Sequence, residues 1–254
     1  MSRYGILAPL FTPEIVQVMA NILILDASSS LCSVSLLSSG KAYHLCEEQP
    51  RRHAQRLLPM VDEILNIAGV KKSELNGIAY GRGPGSFTGI RIAASVMQGI
   101  ALALNLPLYG VSSLQAIAQQ LAQQQGFTSG QEITAIMDAH MGEVFWAIFR
   151  LQENGLVELQ GQEHVSTPES CIEQLAEFNG VFAGDGLTLE SLRGQFKKEI
   201  CFADVLPKTE YMTSLVGDAW DNDKFGNEEQ HAPVYLRDSV AWKKLDEQPS
   251  LLKR

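Results

Sequence analysis

Short apolar runs closed by polar or glycine-rich breaks set the pattern of the first 50 residues. Asn21 to Ala27 (NILILDA) is apolar up to Asp26, as a buried strand would be. Cys32 to Leu37 and Ala42 to Cys46 are two further strands, with Ser38-Ser39-Gly40 as the turn between them. An antiparallel opening of this kind differs from a nucleotide-binding βαβ unit, which passes straight from strand to helix. The period then changes. Leu57, Leu58, Val61, Ile64, Leu65 and Ala68 recur at helical spacing, Gly69 ends the run, and Pro59 is placed to start or kink it. Gly77 to Tyr80 is a short strand feeding a loop from Gly81 to Gly89. A second helix carries Ile92, Val96, Met97, Ile100 and Leu104 among many small residues. A mid-helix glycine costs about 1 kcal/mol relative to alanine, so Gly99 suggests another backbone packed close to it. Ser112 to Gln124 is a third helix, capped by Ser112 or Ser113.

The opening pattern then returns. Ile133 to Ala139 (ITAIMDA) ends in Asp-Ala as the first strand did, and Glu143 to Leu151 answers it. Two halves that begin alike predict duplicated domains, divided within Gln125 to Gly130. Val181 to Ala183 leads into Gly184-Asp185-Gly186, Met212 to Trp220 reads as helix, and the acid-rich stretch Asp218 to Glu229 as a solvated loop. The expected division is an extension over 1–18, domains over 19–124 and 131–245, and a tail over 246–254. The extension holds Pro9, Pro13 and one positive charge, unlike a signal peptide, and is expected to play no part in the fold.

Composition narrows the chemistry. The net charge is 20 − 29 = −9, which argues against a broad basic face for nucleic acid. Arg51, Arg52 and Arg56 form the compact basic cluster, with Arg82 and Arg91 near the glycine loop. That cluster is either a solvated helix start or a contact for a partner's acids or for nucleic-acid phosphate. Four scattered cysteines suggest reduced, buried thiols in a cytoplasmic protein. His44, His53, His140, His164 and His231 are isolated from one another, without the paired spacing of a helical metal site.

The glycine loop, Gly81 to Arg91 (GRGPGSFTGIR), is the most informative segment. Gly83, Gly85, Ser86 and Thr88 could cradle an anion with backbone N–H groups at a helix start, near Asp26. Equally, the glycines could let strand and helix pack closely. The string lacks the lysine of a phosphate-binding P-loop and the third glycine of the dinucleotide fingerprint.

Taken whole, that string resembles the signature of the TsaB (YeaZ) family, proteins of threonylcarbamoyladenosine synthesis on tRNA. ILILDASSSLCSVSLL, HAQRLLPMVDEIL, MDAHMGEVFWAIF and Pro233-Val234-Tyr235-Leu236-Arg237 resemble its other motifs, in order, from Met19 to about Lys244. The resemblance implies an α/β fold of actin-like, sugar-kinase and Hsp70 type, two related domains around a cleft. It implies a cytoplasmic, heterodimeric partner of the catalytic paralogue TsaD and the ATPase TsaE. Together these move threonylcarbamoyl from its adenylate to the adenosine beside the anticodon, with tRNA met through the complex and ATP used by it. A homodimer is expected when TsaD is absent. The paralogue's paired metal-binding histidines have no counterpart here, and the Asp26-Ala27-Ser28-Ser29-Ser30 turn lacks the usual glycine. The cleft is therefore expected to be degenerate, with no catalytic residue and no cofactor or metal held by this chain. An active kinase or ATPase of the same fold is the alternative, and a metallopeptidase a weaker one. The expected TsaD interface is an exposed patch of Leu57, Val61 and Ile64 on one helix with Val96, Met97 and Ile100 on the next.

Overall fold

The computed structural model describes residues 19–48 and 52–237. The 1–18 extension, the 246–254 tail, the end of the second expected domain from 238 and Arg51 lie outside the described residues. Two five-stranded sheets form the frame. The first contains β1 (Ile22–Asp26), β2 (Leu31–Ser38), β3 (Lys41–Glu48), β4 (Gly77–Gly83) and β5 (Leu108–Ser112), in the order β3-β2-β1-β4-β5. The second contains β6 (Glu132–His140), β7 (Glu143–Leu151), β8 (Val157–Ser166), β9 (Val181–Ala183) and β10 (Cys201–Phe202), in the order β8-β7-β6-β9-β10. In each, the first strand pairs antiparallel with its hairpin partner and parallel with the strand on its other side. The Asp-Ala repeat in the sequence is thus the trace of one topology used twice.

Helices are placed by apolar periodicity and local caps. α1 (His53–Ala68) runs through Pro59 and ends at Gly69, whose φ of 70° is open to glycine without strain. α2 (Phe87–Leu104) starts at Ser86, whose side chain accepts from the Gly89 amide. α3 (Ser113–Gln125) starts in the same way at Ser112, bonded by the Gln115 amide. Caps of this type contribute about 1 kcal/mol each. α4 (Pro168–Gln174) is capped by Thr167. α5 (Thr209–Asp221) has no capping side chain of its own. Its Thr209 amide donates instead to Ser33 Oγ on β2, at 3.2 Å. A neighbouring bond, Ser35 Oγ to Thr209 Oγ1 at 2.7 Å, fixes the same junction.

Packing crosses the chain order. α1 and α2 cover one face of the first sheet, burying Leu57, Met60, Val61, Ile64, Ala93 and Met97 against Leu23, Leu25 and Val34. The other face is covered by α5, through Met212, Leu215 and Val216. α3 follows the first sheet in sequence, yet Leu114, Ile117 and Leu121 pack on Ile133, Ala135 and Phe149 of the second. The expected division at 125–130 follows the sequence repeat, whereas the cores exchange one helix each way. Full burial of each large apolar side chain contributes about 1.5–3 kcal/mol, so this exchange joins the lobes strongly.

A closing segment, residues 231–237, joins them again. Tyr80 Oη donates to His231 O at 2.7 Å, and Val234 N donates to Arg82 O at 2.8 Å. Arg237 then reaches the β6–β7 turn, donating to Ala139 O at 3.3 Å, His140 O at 3.4 Å and the Glu143 carboxylate. All four cysteines are free; Cys32 and Cys171 are buried, Cys201 is half-buried, and Cys46 is exposed, contrary to the expectation of four buried thiols.

Candidate functional site

The glycine loop lies directly on the β1–β2 turn, and three of its glycines face that turn without room for a side chain. A Cβ on Gly81 would come within 1.8 Å of Asp26 Oδ1, one on Gly85 within 2.4 Å of Ser28 O, and one on Gly89 within 1.8 Å of Ala27 O. The Ser86 amide donates to Ser28 O at 2.8 Å, so the loop is also bonded to the turn. Gly83, at φ 95°, meets Ile90 and the Val234 carbonyl. Thr88 is exposed on the first turn of α2. Of the five residues singled out as an anion site, only Gly85 and Ser86 line the cleft between the lobes.

Asp26 is buried beneath them. Its Oδ2 accepts from Ser28 N and Ser28 Oγ, each at 3.2 Å, and its Oδ1 has no partner. Burial pushes the carboxyl up to about 7, against the opposing pull of the two Ser28 bonds.

A cleft of about 660 Å³ opens between the lobes. Ser28, Ser29, Ser30, Gly85 and Ser86 form its first-lobe wall, with His53 from the start of α1. The second-lobe wall carries Asp138, His140, Asp185 and Asp204. Asp138 Oδ1 accepts from His140 N at 2.7 Å, while Asp138 N donates to Asp185 Oδ1 at 3.2 Å. Burial raises the Asp185 carboxyl; the Asp138 N–H bond opposes this and the Asp138 charge adds to it. The Asp185 carboxylate therefore bonds across to the end of β6 rather than within its own Gly-Asp-Gly turn. Among the described residues, no three His, Cys, Asp or Glu side chains form a group able to hold a metal ion.

The expected exposed patch requires correction. Leu57, Val61 and Ile64 are fully buried and Met97 nearly so, while Val96 and Ile100 are half-buried against the same core. The apolar arc of an amphipathic helix is the one its own sheet takes up, so the residues that define the period are the ones that disappear. A charge at Val61 or Met97 would enter the core and test folding rather than binding. What remains outside is Leu58 and Ile67 on α1, and Ser95, Gly99, Leu102 and Ala103 on α2, with Leu102 88% exposed. Gly99 has open space around it, so no backbone among the described residues explains it. α2 is long and apolar enough to cross a membrane, but its Ile90, Ala93, Ala94 and Met97 sit in the core.

The basic cluster is partly committed. Arg56 bonds Glu47 and Glu63 at 2.6 and 2.7 Å, and these two carboxylates hold its guanidinium charged. The sequence reading missed a cluster beside the cleft. Phe87 and Tyr235 place their ring centroids 5.5 Å apart, and Arg91 Cζ lies 3.8 Å from the Phe87 centroid. The glycine signature and the closing motif each hold part of it, but the contact joins residues 144 positions apart.

Comparison with known proteins agrees with this architecture. Residues 45–243 match the family described as TsaD, tRNA N6-adenosine threonylcarbamoyltransferase. The tRNA threonylcarbamoyladenosine biosynthesis protein TsaB of Escherichia coli (strain K12) is 38% identical over 228 residues, 88% of this chain and 97% of that protein. The TsaB of Haemophilus influenzae is 35% identical over 233 residues, 88% of this chain and 96% of that one. The solved structure of YeaZ from Pseudomonas aeruginosa superposes with a TM-score of 0.78 at 42% identity, covering 86% of this chain and all of that one. With such identities running across nearly the whole of both chains, on one duplicated actin-like α/β fold, this chain belongs to the TsaB (YeaZ) family of tRNA threonylcarbamoyladenosine biosynthesis proteins.

Proposed function

We propose that this chain is a non-catalytic subunit of a tRNA-modifying complex, docking through the exposed side of α1 and α2 onto the transferase TsaD, with TsaE completing the assembly. The observation that carries this is the outer side of α2. The helix has one charged residue, Arg91, in 18, and presents Ser95, Gly99, Leu102 and Ala103 to solvent, with Val96 and Ile100 half-buried at the edges of that face. Small residues beside a protruding leucine let a second helix approach closely, and a coherent apolar area usually marks an interface. TsaD is the partner of choice because this chain matches the TsaD family model itself. Two chains of one fold can meet through equivalent helix pairs, much as identical subunits do across a two-fold axis. The same face would serve self-association when TsaD is absent.

The non-catalytic part rests on the first lobe. Its Asp26 lies behind Gly81, and its serine turn is spanned by the glycine loop. The alternative, an ATPase or kinase of this fold, would have to work from Asp138 and Asp185 on the other wall of the cleft. Purified chain would then hydrolyse ATP, and Asp138→Asn would abolish it.

The docking test uses Leu102→Glu and Gly99→Glu, both at exposed positions. The expected result is a Tm no lower than the parent's, slightly raised in Gly99→Glu, with at least a tenfold loss of TsaD affinity. Unchanged affinity in both variants would remove this face as the interface.

A further inference from the structure

The large exposed hydrophobic side chains fall mainly into two groups with different chemistry. Leu58, Ile67 and Leu102 belong to α1 and α2 and are aliphatic. Phe87, Tyr235 and Met141, at 45%, 44% and 65% exposure, flank the cleft beside Ser86 and His140. The second group is threaded with arginine. Arg91 stacks over Phe87 at 3.8 Å, stands 5.7 Å from the Tyr235 centroid, and points Nε at Tyr235 Oη, 3.4 Å away. Arg237 continues the strip, with Nη1 3.5 Å from Met141 Sδ.

We propose that this aromatic and arginine strip is a contact for tRNA, stacking unpaired bases on Phe87 and Tyr235 and meeting phosphate with Arg91. The proposal rests on the reading of the chain as a subunit of a tRNA-modifying complex, and names the surface by which it touches the RNA. Two aromatic faces at the surface offer π-stacking to any base, whatever its sequence. Arg56, Arg150 and Arg237 each bind a glutamate, whereas among the described residues no carboxylate pairs with Arg91. An unpaired guanidinium lying on rings keeps its charge for a phosphate and its plane for a base. On a chain of net charge −9, RNA is repelled by most of the surface and held only where a cation stands free. The other exposed group, aliphatic and almost uncharged, suits a helix of a protein. Along α2, Phe87 and Leu102 are 15 residues apart, about 22 Å at the helical rise. A protein on the far end of the helix leaves the strip uncovered.

The probe is an unmodified tRNA transcript carrying an adenosine beside its anticodon. Its binding to the full chain, with and without TsaD, is followed by fluorescence anisotropy across a salt series. The Phe87→Ala/Tyr235→Ala double variant is expected to bind tRNA at least tenfold more weakly, since each stacked base contributes roughly five- to hundredfold. Arg91→Ala should flatten the slope of log affinity against log salt by about 1, and Arg91→Lys should restore that slope without the full affinity. Tm and TsaD binding should stay as in the parent, which separates a failure here from a failure of the docking face. Parental tRNA affinity in both the double variant and Arg91→Ala overturns the proposal. So does loss of TsaD binding in those variants with tRNA affinity intact, since the strip would then be a protein contact. Arg91→Ala is the arm that holds if the double variant fails to fold, because Arg91 is exposed.

Discussion

The two lobes share one strand order and diverge at the tip of their first hairpin. In the first lobe, the β1–β2 tip is an inner surface: Gly81, Gly85 and Gly89, four residues apart, press on Asp26, Ser28 and Ala27. In the second, the glycines opposite β6 press on Ile136 instead, two residues short of Asp138. Asp138 therefore keeps an accessible side chain at the cleft, and the β6–β7 tip stands in solvent, held by Arg237 from the closing segment. One scaffold thus gives a sealed aspartate and an open one. The difference lies where the glycines fall, not in the strands, which explains how a duplicated fold can close one tip and leave the other open while keeping its core.

The largest expected effect breaks the seal. Gly89→Ala puts a methyl group 1.8 Å from the Ala27 carbonyl, backbone against backbone, so α2 or the β1–β2 turn has to move. A loss of 3 kcal/mol or more, or failure to fold, is expected in urea denaturation. Ten residues along the same helix, Gly99→Ala meets nothing within 4 Å and should gain about 1 kcal/mol through helix propensity. If Gly89→Ala is as stable as the parent, the first tip is not sealed in the manner described.

Next in size is the proton on Asp26. Its carboxyl is raised from 3.8 to about 7 on folding, so the folded chain holds the proton more tightly than the unfolded chain does. The favourable contribution is complete below about pH 4 and fades as pH rises through 7, amounting to a few kcal/mol. Asp26→Asn removes the titration. Its stability relative to the parent should therefore climb by a few kcal/mol between pH 4 and pH 8, measured by denaturant unfolding at each. A flat difference would mean that Asp26 is solvated after all.

Much of this was legible in the sequence, and what was not has identifiable causes. The hairpins, the serine cap of α3 and the Gly69 stop are local, and the structure has them close to where the sequence places them. β8 was missed because Val157–Ser166 is largely polar and half-exposed at the edge of its sheet, so no clean alternation marks it. β10 has two residues and no pattern to read. The interface patch failed for a deeper reason. Periodicity finds the arc a helix buries, but not which neighbours do the burying. Leu102 stands off that arc and Leu58, though part of the α1 period, lies at its exposed edge; both gain meaning only once the sheet is known to cover the other side. The exchange of α3 and α5 between lobes, and the meeting of Phe87 with Tyr235, join distant parts of the chain and leave no local mark.

The smallest effect sharpens the comparison at the second tip. His140 and Met141 both have positive φ, 60° and 56°, and Gly142 follows at 82°. Met141-Gly142 is the two-residue turn of the β6–β7 hairpin, a geometry that favours asparagine before glycine. A methionine in the left-handed region is disfavoured by roughly 1–2 kcal/mol, much of which asparagine recovers through its tolerance of that region. Met141→Asn removes the weak contact from Arg237 to the sulfur but leaves the bonds of Arg237 to Ala139, His140 and Glu143. The variant should therefore gain about 1 kcal/mol, seen as a Tm about 2–4 °C higher for a chain of this size. A gain in Tm together with weaker tRNA binding would show that the strained methionine is kept for what it touches. A fall in Tm would show that the sulfur contact outweighs the turn geometry, and that the second tip, like the first, is shaped by packing.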